Sequence, residues 1–527
     1  MLFNSTVFIF VFLPITLICF YQIGRRSSAQ AAITWLVAAS LFFYGWWNPK
    51  YLGLIVGSML FNYTCSIALV SPKILSLSKR RKGLLALGVA GNLLILGYFK
   101  YANFFVDSLN QSLHTQFHLK TIILPLAISF FTFQQIAYLV DTYHLETRKY
   151  DFLKYCLFVV FFPHLIAGPI TYHKEILPQF LTKTISRFQS RNLAVGLTIF
   201  SLGLFKKVMI ADHISLYGNL VFAAAARGEV LSFLEAWSGA LGYTFQLYFD
   251  FSGYSDMAIG LACMFGILLP FNFHSPYKAA SIIDFWYRWH MTLSRFLRNY
   301  IYIPLGGNRR GEVRRYLNIM ITMLLGGLWH GAGWTFVLWG GLHGLYLCVN
   351  HLWRKMKEKI PCIPFCGSCL GLWVSRMITF FAVVFAWVFF RANDLSSAVV
   401  IIKGMLGING IMIWETYFEK LNRMGGLGER LAGMGVVFGE PKCFLGLEQM
   451  SILTFLLLWV ILMPNTQQFM ARYRPGIDIY KGPPEIRRDP ISFYWRPSAF
   501  WGVVTAVMFA VSILNLSRAS EFLYFQF

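Results

Sequence analysis

Charged residues are scarce in this chain of 527 residues, and acidic ones are the scarcest. Charged residues make up 13% of the chain and hydrophobic ones 57%, and the mean hydropathy is +0.56. This composition excludes a soluble globular protein. Lys and Arg number 46 against 23 Asp and Glu, a net charge of +23. In a membrane protein that excess fits basic loops on the cytoplasmic side and contact with anionic headgroups, so we expect no nucleic-acid partner.

Cysteines in metal-binding pairs are also missing. The nine cysteines are scattered, mostly in apolar runs where a thiol packs as a small hydrophobic group. Cys362, Cys366 and Cys369 form a tighter group, but no second Cys or His group stands at ligand spacing. The sequence therefore predicts no metal site. It also lacks internal repeats, low-complexity linkers and a soluble domain.

Long apolar stretches fill most of the chain. Stretches near the spanning length of about 20 residues cover 5–23, 31–47, 51–70, 84–105, 121–140, 152–170, 193–211, 371–390, 451–467 and 498–516. Glycines and polar residues interrupt two more, 231–266 and 316–350. We expect an all-α polytopic protein with about eleven membrane helices plus re-entrant segments. It would be one domain, 1–527, with N-terminal helices (1–115), a core (about 121–350) and C-terminal helices (369–527).

The position of basic residues predicts the orientation. The first apolar stretch has no Lys or Arg before it and is followed by Arg25 and Arg26. The next basic cluster, 73–82, falls two spans later. Both clusters place the N-terminus outside and these loops in the cytoplasm. No signal-peptide cleavage pattern is evident, so we expect this helix to be retained.

The middle third, from Tyr243 to His343, carries polar residues at membrane depth. Irregular backbone there must be buried in protein or line a water-filled cavity, so a central funnel or tunnel with aromatic walls is predicted. Outside it, residues 405–450 are expected to form an interfacial loop or surface helix. Residues 470–497 are basic and rich in proline, and we expect them to form a connecting segment.

His330 is the most informative residue of this region. It lies among glycines and apolar residues, and an ionisable side chain at membrane depth is expensive and usually marks a site. Histidine can take up a proton near neutral pH, as acylation of a hydroxyl requires. Hydrogen bonding between helices or cofactor ligation are the alternatives. Haem is disfavoured, because the sequence lacks paired histidines that recur on two regular helices, and His343 is the only partner for such ligation.

A second histidine, His290, stands in a basic stretch. If 281–300 is helical, Asp284 and Arg288 share one face and can form a structural ion pair. Arg288, Arg295 and Arg298 would flank His290, and guanidinium groups suit the phosphates of a coenzyme or carrier arm. The alternative is a headgroup-facing surface.

Several long motifs resemble one family. They are FQQIAYLVDTYH (133–144), FPHLIAGPI (162–170), FDFSGYSDMAIG (249–260), FNFHSPY (271–277), FWYRWHMTLSRFLRNYIYIPLGGNRRG (285–311) and LLGGLWHGAGWTFVLWGGLHG (324–344). They resemble the membrane-bound O-acyltransferases. The start of the chain, the FFYGWWNPKYL segment and MPNTQQFM (463–470) are similar to the bacterial alginate O-acetylation branch.

The resemblance implies a ring of tilted helices with a cytoplasmic funnel, in the bacterial inner membrane. His330 would be the essential histidine and the base for the accepting hydroxyl, and His290 would orient or polarise the acyl carbonyl. Second-tier candidates are Asp250, Asn272 and Trp329. It also implies acetyl transfer from a cytoplasmic thioester, acetyl-CoA or an acyl carrier, with no tightly bound cofactor.

The acceptor implied is an extracytoplasmic polysaccharide such as alginate, reached directly or through a periplasmic partner protein. The same chemistry on peptidoglycan, cellulose or teichoic acid is an alternative. A polar tunnel in a helical bundle also describes a transporter or flippase of acyl or glycan carriers. The two halves of the chain show no repeat with matching broken helices, which disfavours a transporter.

Overall fold

The structure is a computed structural model that describes residues 1–147, 150–182, 185–359, 368–482, 494–518 and 523. Helices dominate it, as the composition predicts. A π-helical turn, Phe8–Phe12, leads into the first helix, and another, Gly97–Tyr101, joins the fifth to the sixth. The N-terminal helices are α1 (Leu13–Arg26), α2 (Ala29–Gly45), α3 (Leu52–Leu69), α4 (Pro72–Leu75), α5 (Ser78–Leu96) and α6 (Ala102–Leu113).

The core follows after an extended segment. Its helices are α7 (Ile128–Tyr143), α8 (Phe152–Val160), α9 (Phe162–Leu165), α10 (His173–Ile176), α11 (Ser190–Phe205), α12 (Asp212–Ala226), α13 (Phe233–Met264), α14 (Ile282–Arg288), α15 (Met291–Leu297), α16 (Glu312–His330) and α17 (Trp334–Lys359). The π-helical turn Lys206–Ala211 joins α11 to α12. A further one, Arg298–Tyr302, follows α15.

The C-terminal part adds α18 (Cys369–Arg391), α19 (Leu395–Met405), β1 (Ile411–Trp414), α20 (Thr416–Asn422), α21 (Leu427–Gly433), β2 (Val436–Gly439), α22 (Leu447–Leu462), α23 (Thr466–Phe469) and α24 (Ala499–Leu514). Strands β1 and β2 pair in parallel, with Ile411 opposite Val436. The segment 405–450 is therefore a small folded unit, and its strand pair was not predicted.

Five helical stretches among the described residues are long and apolar enough to cross a bilayer: Phe8–Arg26, Pro49–Leu69, Ser78–Leu113, Ser190–Ala226 and Cys369–Arg391. Shorter apolar helices are Ala29–Gly45, Leu395–Met405, Leu447–Leu462 and Ala499–Leu514. The expected all-α polytopic architecture is confirmed. The number of membrane crossings stays a prediction.

The segment 152–170 differs from the span that its hydropathy suggests. Helix α8 ends at Val160 after nine residues, and α9 holds only four. Pro163 and Pro169 interrupt the stretch because proline cannot continue a helical hydrogen-bond ladder. Every residue from Tyr155 to His173 is buried. This apolar segment is thus enclosed by protein, where irregular backbone at membrane depth is tolerated.

Helix α13 is the longest element of the core and lies mainly against α11 and α12. A Cβ atom at Gly203 of α11 would lie 2.5 Å from the carbonyl oxygen of Gly253 on α13. The reciprocal distance, from Gly253 to the carbonyl oxygen of Gly203, is 2.7 Å. Small residues let membrane helices approach this closely. The polar residues of α13 are thereby held inside the bundle.

Helices α16 and α17 form a hairpin that closes on the short segment Gly331–Gly333. A Cβ atom at Gly327 would lie 2.2 Å from the carbonyl oxygen of Phe336, and one at Gly340 2.3 Å from that of Met323. At the far end of the hairpin, Lys355 binds both carboxylate oxygens of Glu312 at 2.7 Å. The hairpin places His330 at its tip.

Candidate active site

His330 is the last residue of α16 and is 4% exposed. Its ring is surrounded by aromatic side chains, with centroid distances of 4.9 Å to Trp329, 5.1 Å to Trp339 and 5.1 Å to Phe390. Helix α16 stops here, and Gly331 adopts an extended conformation. The sequence feature that singled out His330, a titratable group among glycines, therefore corresponds to a helix end inside an aromatic shell.

The backbone around His330 is held by a helix that sequence reasoning did not connect to the site. Lys100, in the π-helical turn after α5, donates to the carbonyl oxygens of Trp329 and His330. The next residue, Tyr101, donates its hydroxyl hydrogen to the carbonyl of Leu328 at 2.8 Å. The last carbonyls of a helix lack partners within it and carry negative partial charge, so an ammonium group there is stabilising. A lysine inside the apolar stretch 84–105 is costly, and this was the feature of the sequence that could have linked Lys100 to a site.

His290 occupies a break between α14 and α15. Its φ of 40° lies in the left-handed region, which is uncommon for a residue with a side chain. The condition under which the arginines were considered, one helix over 281–300, is therefore not met: α14 ends at Arg288 and α15 begins at Met291. Backbone groups at the break, which lack helical partners, bond to the preceding segment instead. The N–H of His274 donates to the carbonyl of Arg288, and the N–H of Met291 donates to the carbonyl of Asn272.

The break brings the two predicted catalytic residues together. The rings of His290 and His330 lie 6.4 Å apart between centroids, although 40 positions separate them in the sequence. His290 is fully buried and also contacts Phe251 of α13, at 4.8 Å. Its Nδ1 lies 3.0 Å from the Oδ1 of Asn272. Asn272 and Trp329, two second-tier candidates, thus lie in direct contact with the histidine pair.

The three predicted donor-binding arginines occupy different surroundings. Arg288 donates to Asp284 at 2.8 Å and to the carbonyl of His274 at 3.2 Å, which confirms the predicted structural ion pair. Arg295 makes a bidentate ion pair with Glu175, with an Nη2–Oε2 distance of 2.9 Å. Arg298 contacts its neighbour Asn299 at 3.3 Å and is partly exposed. The assignment of these residues to the donor stays a prediction.

A cavity of about 440 Å³ opens beside α15. Basic groups in its wall are Arg295, Arg298, Arg315, His351 and Lys481. The rest of the wall is mainly apolar, with Trp286, Met291, Met323 and Leu347, and it includes the polar residues Ser294, Asn308 and Thr322. Neither of the two histidines lines this cavity, but Met291 is the neighbour of His290 in the chain. The wall of the cavity therefore combines basic and apolar side chains.

Asp250, another second-tier candidate, lies on α13 and belongs to a buried charged cluster. Lys207 lies 2.6 Å from Asp250 and 2.8 Å from Asp212. The backbone N–H of Leu523 donates to the second oxygen of Asp250 at 3.0 Å. Both carboxylate oxygens of Asp250 are thus engaged in structural contacts, which explains a charged residue buried on this helix. Of the cysteine group, Cys362 and Cys366 lie outside the described residues, and Cys369 is exposed.

A family model and several known proteins are similar to this chain in sequence. The model of the membrane-bound O-acyltransferase family matches residues 142–390. A peptidoglycan O-acetyltransferase of Helicobacter pylori is 44% identical over 471 residues, which are 84% of this chain and 86% of that protein. A probable alginate O-acetylase of Pseudomonas aeruginosa is 37% identical over the full length of both chains. A teichoic acid D-alanyltransferase of Streptococcus thermophilus is 26% identical over 45% of this chain and 59% of its own length.

The family match covers both histidines, the break at His290 and the hairpin of α16 and α17. Probable alginate O-acetylases of Pseudomonas putida and Azotobacter vinelandii are also 37% identical to this chain over its full length. Such similarity over whole chains, joined to a helical membrane fold with a buried histidine pair, makes the transporter alternative unnecessary. The chain belongs to the membrane-bound O-acyltransferase family, and it is an O-acyltransferase that crosses the membrane several times.

Proposed function

We propose that this protein transfers an acetyl group from a cytoplasmic thioester to a hydroxyl group of an extracytoplasmic polysaccharide. The observation that carries the proposal is the pair of buried histidines, His290 and His330, 6.4 Å apart between ring centroids. Acyl transfer to a hydroxyl needs a group that accepts the hydroxyl proton, and imidazole suits this role near neutral pH.

The proposed reaction balances without a metal or redox group. A neutral imidazole of the pair takes the hydroxyl proton, and the sequence-based prediction assigns this role to His330. The hydroxyl oxygen bonds to the acyl carbon, the carbon–sulfur bond breaks, and the leaving thiolate receives the proton. The products are an ester and a free thiol.

The donor side of the proposal rests on the cavity beside α15. Its volume of about 440 Å³ lies within the range of small-molecule sites. Arg298, Arg315 and Lys481 in its wall supply cationic groups for phosphates, and the apolar part suits the arm that carries the thioester. Acetyl-CoA and an acyl carrier protein share this chemistry, so both are proposed donors, without a tightly bound cofactor.

The acceptor side of the proposal draws on the named relatives. The higher identity to the peptidoglycan O-acetyltransferase, 44% against 37% for the alginate O-acetylase, makes peptidoglycan the first acceptor to test and alginate-like exopolysaccharide the second. We also propose the inner membrane as location and an N-terminus outside. Where transfer to the polysaccharide is not direct, we propose a periplasmic partner protein that receives the acetyl group and delivers it.

Deletion of the gene in the source bacterium tests the acceptor. We expect the alkali-labile acetate of purified peptidoglycan to fall to background and to return when the wild-type chain is supplied. Loss confined to exopolysaccharide would assign that acceptor instead. Unchanged acetate in every polysaccharide fraction would contradict the proposed function.

A further inference from the structure

The side-chain amide of Asn272 is the centre of a buried hydrogen-bond network around His290. Asn272 is 1% exposed. Its Oδ1 lies 3.0 Å from the Nδ1 of His290, 2.9 Å from the Oγ1 of Thr292 and 3.4 Å from the backbone nitrogen of Thr292. Three groups thus converge on one oxygen atom.

The orientation of that amide follows from its partners. A backbone N–H can only donate, so the atom that faces Thr292 N–H must be the oxygen of Asn272. The Nδ2 of Asn272 points the other way and donates to the Oγ of Ser255 at 3.4 Å. The hydroxyl of Thr292 accepts from the backbone N–H of Ile170 at 3.0 Å, which leaves its own hydrogen for Asn272. The carbonyl oxygen of the amide is therefore fixed toward His290.

An amide oxygen accepts hydrogen bonds and cannot donate them, so Nδ1 of His290 must carry the hydrogen. We infer that Asn272 and Thr292 are positioning residues that hold His290 in the Nδ1–H tautomer, with a lone pair on Nε2. Among the described residues, Nε2 has no hydrogen-bond partner. Like the orienting partners of histidines in other sites, these two residues act through the ring that they hold.

This tautomer changes the role of His290. The sequence-based prediction has it polarise the acyl carbonyl, but a carbonyl needs a donor, and neutral His290 offers only an acceptor at Nε2. His290 is instead a second proton acceptor beside His330. A centroid separation of 6.4 Å is too long for a direct bond between the rings. One hydroxyl oxygen at about 2.8 Å from a nitrogen of each ring fits such a gap, and its single hydrogen is donated to one ring at a time. The inference rests on the proposed function.

Variants of Asn272 test the positioning role through kinetics. Asn272→Leu removes the acceptor at similar volume, and kcat should fall about 100-fold or more, within the range of general-base catalysis, while KM for acetyl-CoA stays unchanged. Asn272→Asp keeps the acceptor and adds a negative charge that stabilises protonated His290. Because the neutral ring is the active form, the acidic limb of the pH–rate profile should move to higher pH.

Two controls separate positioning from folding. Thr292→Ser keeps the hydroxyl and should retain activity, whereas Thr292→Val should lose about ten-fold, the order of one hydrogen bond. Asn92→Leu removes a different buried amide, which is bonded to Asn62 at 2.6 Å. It should lower thermal stability and leave the pH–rate profile in place. An Asn272→Leu variant with wild-type kcat, or an Asn272→Asp variant with an unmoved profile, would overturn the inference.

A direct measurement decides the tautomer even where a variant fails to fold. The wild-type protein with ¹⁵N-labelled histidine is reconstituted in bilayers, and the His290 signal is assigned by its loss in His290→Gln. We expect an unprotonated Nε2 and a protonated Nδ1 at neutral pH. Protonation at Nε2 with a bare Nδ1 would refute the inference, whatever the activity. Absence of acetyl transfer by the wild-type protein, with the expected tautomer present, would instead count against the proposed function alone.

Discussion

At the scale of single residues, the chemistry was easier to predict than the contacts. His330 and His290 could be singled out because titratable groups are costly at membrane depth, and the structure places their rings together. The partners of these residues could not be predicted. Lys100 lies 230 positions from the carbonyl that it contacts at His330, and Glu175 lies 120 positions from Arg295. Only folding brings such distant pairs into contact.

The different surroundings of the arginines give different expected effects. Arg298→Ala should raise KM for acetyl-CoA about five-fold, the order of a partly exposed charge contact, with a smaller effect at high salt because exposed charges are screened. Arg288→Ala leaves Asp284 buried without its ion-pair partner and should destabilise the fold by about 3–5 kcal/mol. Thermal unfolding and donor kinetics of the two variants check this contrast. Equal losses of stability in both would contradict it.

At the scale of elements, the hairpin of α16 and α17 and the break at His290 position the site. The glycine pattern predicts a close helix contact in the hairpin, and Gly327 and Gly340 provide it. The break at His290 could not be predicted, because its stretch has no proline or glycine from Ile282 to Ile303. The backbone hydrogen bonds that His274 and Asn272 make with Arg288 and Met291 hold the chain in this break instead. Tertiary structure here overrides local helix preference.

The two glycines that follow His330 should respond differently to substitution. A Cβ atom at Gly331 would lie 2.1 Å from the ring of Phe336, whereas at Gly333 the nearest such distance is 3.5 Å. Phe336 packs on Phe390, which packs on His330. Gly331→Ala should therefore displace this aromatic chain and lower acetyl transfer about ten-fold or more, by misplacing the reacting group.

Gly333→Ala is the matched control for that variant. It should transfer acetyl groups at close to the wild-type rate, and both variants should keep the wild-type KM for acetyl-CoA, since neither Gly331 nor Gly333 lines the proposed donor cavity. Transfer rates of the two variants in the same membranes check the difference. Similar losses in both would exclude a specific role for the contact between Gly331 and Phe336.

At the scale of the whole molecule, the class of fold followed from composition, but its internal layout did not. Hydropathy marked 152–170 as a span, whereas the structure encloses that segment in protein. Hydropathy alone does not distinguish lipid-facing from protein-buried apolar chain. The same limit applies to 405–450, expected as a loop or surface helix, where the structure adds a parallel strand pair to the short helices α20 and α21.

The orientation in the membrane is a prediction that labelling can check. In a background with Cys362, Cys366 and the exposed Cys369 replaced by serine, single cysteines are placed at Asn48 and Lys79. A membrane-impermeant thiol reagent on intact spheroplasts should label the first and spare the second, because the basic cluster at 73–82 is expected in the cytoplasm. Both sites should react after permeabilisation. The reverse pattern would contradict the predicted orientation and a cytoplasmic donor.

The most direct test of the account concerns the histidine pair. In the deletion strain, polysaccharide-bound acetate is measured with the chain restored as wild type, His330→Ala or His213→Ala at equal membrane levels. His213 is exposed, and its Nδ1 lies 3.2 Å from the carbonyl oxygen of Val208 in the π-helical turn before α12. We expect the transfer rate to fall at least about 100-fold in His330→Ala, as loss of a catalytic base requires, and to stay at the wild-type level in His213→Ala. A folded His330→Ala protein with the wild-type transfer rate would contradict the account.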